Sequence, residues 1–131
     1  MQYVDSNGFL WLREYPHPYI YDRTLNGHIT ALAGVYDYYR LTHSCKALAL
    51  LKAGITTVFR YAKQFRNPGG ASFYCLEHKI LCDKADFKYH RIHIEQFNWL
   101  AEITNVDLFA VFARQLDEDV PLCRRYVLVP L

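Results

Sequence analysis

The stretch SCKALALLKAGITTVFRYAKQF, residues 44–65, decides the fold of this 131-residue chain. Its apolar residues recur three and four positions apart and form one stripe, whereas the lysines and Arg60 lie off that stripe. Ser44 is a suitable N-cap, and the turn-forming residues 67–70 (Asn-Pro-Gly-Gly) end the segment. The pattern predicts a long amphipathic helix over 44–65, which Gly54 weakens only slightly.

Three further helices are predicted on the same grounds, over about 26–41, 89–104 and 106–116. Residues 1–24 are predicted to be an extended segment, because Pro16 and Pro18 interrupt any helix there, with a short strand-like stretch at 19–21. Residues 72–76 and 79–82 are predicted to pair as a short β-hairpin. Residues 117–119 are predicted to form an acidic turn before a tail that is apolar at 126–129.

Together these elements predict one mainly α domain spanning residues 1–131. Helices paired through short connections fit part of an α/α toroid, in which inner and outer helices alternate. Four helices are too few to close such a ring. We therefore expect a partial α/α toroid of about four helices with a short β-hairpin, open rather than closed.

The composition excludes some functional classes and leaves others open. A net charge of +2 is far from the basic balance of a nucleic-acid-binding domain, so no nucleic-acid partner is predicted. No apolar run reaches the ~18 residues of a spanning helix, so no membrane insertion is predicted. No signal-peptide pattern opens the sequence, so a cytoplasmic location is the default expectation, and the four widely spaced cysteines are expected to be reduced. Eleven tyrosines suit a carbohydrate-facing cleft, an interface or a membrane belt.

Several short motifs carry chemical groups, and they occur in a fixed order along residues 7–116. They are Glu14-Tyr15-Pro16, Leu25-Asn26-Gly27, Gly34-Val35-Tyr36-Asp37-Tyr38, Phe73-Tyr74-Cys75-Leu76-Glu77-His78 and Tyr89-His90-Arg91-Ile92-His93-Ile94-Glu95-Gln96. In this order the chain resembles the C-terminal helical domain of the D-glucuronyl C5-epimerases, which invert C5 of uronic acid residues in glycosaminoglycan chains. The resemblance leaves 117–131 as an unmatched tail.

The resemblance implies which residues exchange the C5 proton. Epimerisation needs a base on one face of the sugar, an acid on the other, and a donor or cation for the carboxylate. By matching motifs, Tyr89 and Tyr74 are expected to transfer protons. Glu14 and Tyr15 are expected to be partner acid–base or orienting residues, and no cofactor is implied.

Other motif residues are expected to bind substrate: Asn26, His78, His90, Arg91 and His93. Glu77 departs from the family, which has an arginine there, and a carboxylate would repel a uronate unless Arg91 or His78 compensates. Cys75 replaces the family's aspartate. For Asn26 and Gly27 the alternative is structural, as an N-cap and a point of close approach. The histidines and cysteines match no common zinc spacing, so no metal site is predicted.

Two functions therefore stay open on the sequence alone. The first is a cofactor-free uronate C5-epimerase acting on an acidic polysaccharide, alone or with a partner chain that completes the cleft. The second is a non-catalytic remnant or subunit that binds acidic glycan or completes a partner's toroid. An open half-ring would expose apolar helix faces, so a homodimer is also expected. A lyase begins with the same proton abstraction, but it is placed below the epimerase because no motif indicates how the leaving group at C4 would be protonated.

Overall fold

The computed structural model describes residues 2–14, 23–81 and 87–120. In chain order these residues form β1 (Gln2–Val4), β2 (Leu10–Leu12), α1 (Leu25–Thr42), α2 (Cys45–Phe65), α3 (Lys88–Thr104) and α4 (Asp107–Asp119). They confirm the mainly α class with a small antiparallel sheet. Membership of a larger ring stays a prediction.

The helices form two antiparallel hairpins, α1–α2 and α3–α4. A left-handed residue ends the first helix of each pair, His43 with φ 54° and Asn105 with φ 55°. Ser44 then caps α2, its hydroxyl accepting a hydrogen bond from the Ala47 N–H at 3.3 Å, as predicted. The hairpins pack α1 on α3 and α2 on α4. Connections this short fix the antiparallel pairing.

The core lies where β2 meets the helices. Trp11 is 1% exposed, and its ring centre is 5.0 Å from that of His28 and 5.3 Å from that of Tyr61. Gly54 contributes by lacking a side chain, because a Cβ there would overlap Leu32 of α1. The larger core residues are Leu25, Ile29, Leu51, Val58, Phe65, Phe97, Leu100, Phe109, Phe112 and Leu116. This packing fixes the strand that precedes Glu14 against α1 and α2.

A regular β-hairpin forms where the sequence predicted none, and the predicted hairpin is reduced to a single bridge. β1 and β2 pair with Tyr3 opposite Trp11, within the segment that was predicted only to be extended. The predicted segments 72–76 and 79–82 do pair, through an isolated antiparallel bridge from Phe73 to Leu81, but their described residues form no regular strand. Residues 74–76 also bond to the chain just before α1, where Cys75 forms a second isolated bridge, to Thr24. Cys82 and the strand-like 19–21 lie outside the described residues.

Two helix ends also differ from the prediction. α1 begins at Leu25 with Thr24 in the N-cap position, so Asn26 is not the cap. α4 continues to Asp119, so 117–119 is its last turn rather than a separate acidic turn. The Asp119 carboxylate accepts hydrogen bonds from Arg66 Nε at 2.7 Å and from the Gly69 N–H at 2.9 Å. These partners from the end of α2 stabilise the extra turn.

Candidate functional site

Glu14, Tyr74 and Tyr89, three of the four residues predicted to be catalytic, lie together; we call them the acid–tyrosine cluster. The Tyr74 hydroxyl donates a hydrogen bond to Glu14 Oε2 at 3.1 Å. The ring centres of Tyr74 and Tyr89 are 4.9 Å apart, with their planes inclined at 69°. Glu14 is exposed and both tyrosines are half-buried, so the cluster is open to solvent. Tyr15, the fourth residue, lies outside the described residues.

Glu14 lies against the first turn of α1. A Cβ at Gly27 would be 2.8 Å from Glu14 Cβ, which shows how closely the two segments approach. The first turn of a helix carries unpaired N–H groups and the positive end of the helix dipole, which favours a carboxylate there. The start of α1 therefore provides a suitable place for an anionic side chain.

The backbone of Tyr74 is held at the same helix end. Its N–H donates to the Ile80 carbonyl at 2.7 Å, and its carbonyl accepts from the Leu25 N–H at 3.3 Å. The next pair in this short ladder joins the Leu76 N–H to the Arg23 carbonyl at 3.3 Å. Glu14 and Tyr74 are thus positioned independently against one structural element, the start of α1.

His90 and His93, predicted to bind substrate, lie in the interior and are 0% exposed. The Ser72 N–H donates to His90 Nδ1 at 2.8 Å, and His90 Nε2 is 2.8 Å from the Leu116 carbonyl, to which it donates. Ser72 Oγ lies 2.7 Å from His93 Nδ1. Burial lowers the pKa of both imidazoles, that of His93 to about 3. Both rings are neutral, and their bonds fix Ser72, two residues before Tyr74; the structure favours this positioning role over contact with substrate.

His28 has a similar position that the sequence reasoning missed. The Leu12 N–H donates to His28 Nδ1 at 2.9 Å, and His28 Nε2 donates to the Gly54 carbonyl at 3.0 Å. Burial lowers the pKa of this imidazole too. The bonds tie the end of β2, two residues before Glu14, to α1 and α2. Its helical spacing from Leu25 places His28 on the apolar stripe of α1, and this spacing could have predicted that the imidazole is buried.

Glu77, which stands where the family has an arginine, forms an ion pair within the chain. Its carboxylate forms an ion pair with the Arg23 guanidinium and accepts from the Arg23 N–H at 2.6 Å. The charge of Glu77 is therefore compensated by Arg23, a residue that the prediction did not name.

Asn26, His78 and Arg91 are the remaining residues predicted to bind substrate. The Asn26 carbonyl accepts from Gln96 Nε2 at 3.0 Å, and the side-chain oxygen of Asn26 is buried with no hydrogen-bond partner in the part of the chain that the structure describes. His78 is exposed, with Nδ1 3.6 Å from Cys75 Sγ. Arg91 is exposed on α3, and residues two apart on a helix do not share a face, so it points away from Tyr89.

One cation missed by the sequence reasoning lies beside the cluster. Lys88 Nζ is 5.4 Å from the centre of the Tyr89 ring. Within the described ranges, no three His, Cys, Asp or Glu side chains are grouped so as to hold a metal ion. None of the helices in the same ranges combines the length and apolar character needed to cross a membrane.

Comparison with known proteins gives one assignment. A model of the family described as D-glucuronyl C5-epimerase C-terminus matches residues 1–118. A search of the curated proteins finds no match to the chain. The family match extends from β1 to the last turn of α4, ending one residue before the helix does, and includes the whole acid–tyrosine cluster. The chain belongs to the D-glucuronyl C5-epimerase C-terminal domain family.

Proposed function

We propose that this chain carries the acid–base groups of a uronate C5-epimerase, which exchanges the C5 proton of glucuronate residues in an acidic polysaccharide. The observation that carries the proposal is the acid–tyrosine cluster itself. Three residues from separate segments of the chain meet at one solvent-open place, with a hydrogen bond from phenol to carboxylate. Membership of the family supports the substrate class.

The proposed reaction is a pair of proton transfers at C5. In the first, the C5–H bond breaks and its electron pair moves into the adjacent substrate carboxylate. The Tyr74 oxygen takes the C5 proton while its own phenolic proton passes to Glu14, along the 3.1 Å hydrogen bond. In the second, Tyr89 returns a proton to the other face of C5, which inverts the centre. The reverse reaction exchanges the roles of the two tyrosines, and no step requires a cofactor.

Negative charge develops on the substrate carboxylate during the first transfer, and a nearby cation would stabilise it. Lys88 is the described cation next to the tyrosine pair, with Nζ 5.4 Å from the Tyr89 ring centre. We propose this lysine for that role, in place of the family's arginine at the position of Glu77. The ion pair between Glu77 and Arg23 removes the repulsion that a free carboxylate would cause.

Deuterium uptake at C5 tests the proposal. A glucuronate polysaccharide is incubated with the full chain in D2O, and both C5 deuterium and the ratio of epimers are read by NMR. The wild type is expected to incorporate deuterium and to form the second epimer. A folded wild type that incorporates none refutes the stand-alone enzyme.

Two tyrosine variants then test whether each phenol serves one face. Tyr74→Phe removes the proposed base for glucuronate and is expected to abolish deuterium uptake at C5. Loss of the opposite acid, in Tyr89→Phe, is expected to leave uptake with retention while inversion stops. Tyr36→Phe is the matched control, because Tyr36 is also half-buried and edge-on to an aromatic ring, Trp99 at 5.8 Å, but lies outside the cluster. Equal behaviour of all three variants contradicts the assignment.

A second function is favoured by the exposed apolar side chains of α1. Leu41 is 84% exposed and Tyr38 is 57% exposed, on the same helix. Exposed apolar residues of this size suit a homodimer or a partner chain that completes a toroid. A non-catalytic subunit would bind the acidic polysaccharide, or a partner, without C5 exchange. A lyase would instead shorten the polysaccharide, which the same NMR spectra would show.

A further inference from the structure

We infer that Gly27 is a positioning residue of the acid–tyrosine cluster: its missing side chain lets Glu14 lie against α1, where the carboxylate reaches Tyr74. The catalytic meaning of this inference rests on the proposed function, whereas the contact itself does not. Gly27 is the third residue of α1 and lies between the N-cap and the first complete turn. Its role follows from the space that it leaves open.

The backbone does not require glycine at this position. Glycine is unfavourable inside a helix, and positive φ angles among the described glycines occur at Gly8 and Gly69 only. Packing gives the reason instead. A Cβ on residue 27 would be 2.5 Å from Glu14 Oε2, 2.8 Å from Glu14 Cβ and 3.0 Å from Thr24 Oγ1.

Rotation of the Glu14 side chain cannot relieve this crowding. It would move the carboxylate oxygen, but Glu14 Cβ is bonded to the main chain and moves only if the backbone moves. Carbon atoms pack favourably at about 3.5–4.0 Å, so Glu14 would have to retreat by on the order of 1 Å. Any side chain on residue 27 therefore displaces the whole glutamate.

Tyr74 is held by bonds of its own and has no reason to follow that movement. Its backbone N–H and carbonyl are bonded to Ile80 and Leu25. A retreat of Glu14 would lengthen the 3.1 Å hydrogen bond beyond the ~3.2 Å limit of a good hydrogen bond. A misplacement of about 1 Å in a catalytic group costs roughly 100-fold in rate. Gly27→Ala should thus separate Glu14 from Tyr74 although neither of these two residues is substituted.

The test compares Gly27→Ala with Gly34→Ala in the full chain. Gly34 lies on the same helix, and a Cβ there would meet no atom of the described residues within 4 Å, so it is a matched control. Protein labelled with ¹³Cζ-tyrosine gives a Tyr74 signal, assigned by its loss in Tyr74→Phe. Glu14→Gln removes the carboxylate that accepts the Tyr74 hydrogen bond, and its spectrum shows where the Tyr74 signal lies without that acceptor. We expect Gly27→Ala to move the signal to that position and to lower C5 deuterium uptake by about 100-fold, while Gly34→Ala changes neither.

A Tyr74 signal in Gly27→Ala that stays at its wild-type position overturns the inference. This readout is independent of turnover: if the wild type shows no C5 exchange, the proposed function fails, and the tyrosine signal still decides the positioning role. If Gly27→Ala does not fold, Glu14→Gly is added, which removes both glutamate atoms in the crowded contact. Recovery of the folded state in the double variant supports the inference, and continued failure to fold refutes it.

Discussion

Acidification is expected to destabilise the fold through His93, whose imidazole is completely buried on α3. Burial, with repulsion from His90 as a smaller cause, lowers its pKa from 6.5 to about 3. Nδ1 is bonded to Ser72 Oγ at 2.7 Å, and Nε2 has no hydrogen-bond partner among the described residues. The arrangement that satisfies most groups is a neutral ring whose Nδ1–H donates to Ser72. A second proton would create a buried charge without compensation.

The sign and size of the effect follow from proton linkage. The unfolded chain binds a proton at residue 93 near the ordinary histidine pKa, whereas the folded chain does so only near 3. The stabilisation that results from neutral, buried His93 is therefore fully present above the pKa of this histidine in the unfolded chain, and it decreases as the pH falls below that value. Each pH unit in this window costs about 1.4 kcal/mol per histidine, or about 2 kcal/mol by pH 5. The pKa values of His28 and His90 are also lowered by burial, so the total slope should exceed that of one proton.

Urea unfolding at a series of pH values from about 7 to about 5 measures this slope. His93→Gln should lower stability at neutral pH, but its slope should be smaller than that of the wild type by about 1.4 kcal/mol per pH unit. His43→Asn is the matched control, because His43 is exposed at the end of α1 and asparagine tolerates its left-handed backbone. Equal slopes in the wild type and His93→Gln would refute the reasoning.

Three further predictions concern single contacts, all measured by urea unfolding. Glu77→Gln should lower the free energy of unfolding by less than about 1 kcal/mol, since its ion pair is partly exposed, and should leave C5 exchange unchanged; a loss of exchange would place Glu77 in the site. Asp119→Asn should cost about 1.5–3 kcal/mol, because Arg66 and the Gly69 N–H lose a charged acceptor; an unchanged midpoint would contradict this. Gly54→Ala should cost roughly 1–3 kcal/mol despite the better helix propensity of alanine, because the methyl group overlaps a leucine of α1; a gain in stability would exclude that overlap.

The helices could be predicted closely where local signals decide them. α2 has its N-cap at Ser44 and ends at Phe65, as its apolar stripe and the following turn residues indicated. α3 begins one residue before the prediction. The end of α4 could not be predicted, because three consecutive acidic residues suggest a turn, and the partners that extend the helix lie 50 and 53 residues away. Contacts at such distances leave no trace in local periodicity.

For the candidate site, too, some features could be predicted from local motifs, whereas others depend on distant contacts. The motifs of the resemblance selected Glu14, Tyr74 and Tyr89, and the structure brings these three together. For His90 and His93, helical spacing predicted a shared face, and both rings do contact Ser72. The spacing could not tell whether that face looks into a cleft or into the interior, because the answer depends on the packing of α4. The ion pair between Glu77 and Arg23 could not be predicted either, because the two residues are 54 positions apart in the sequence.

Buried neutral histidines hold both segments that carry the acid–tyrosine cluster. His28 binds the Leu12 N–H just before Glu14, and His90 binds the Ser72 N–H just before Tyr74. In each bond Nδ1 is the acceptor, which requires that nitrogen to be unprotonated. Protonation of these rings would therefore free both segments in the same step that destabilises the fold. It follows that acid should abolish C5 exchange together with the tertiary structure, so exchange and circular dichroism followed over one pH series should fall in parallel.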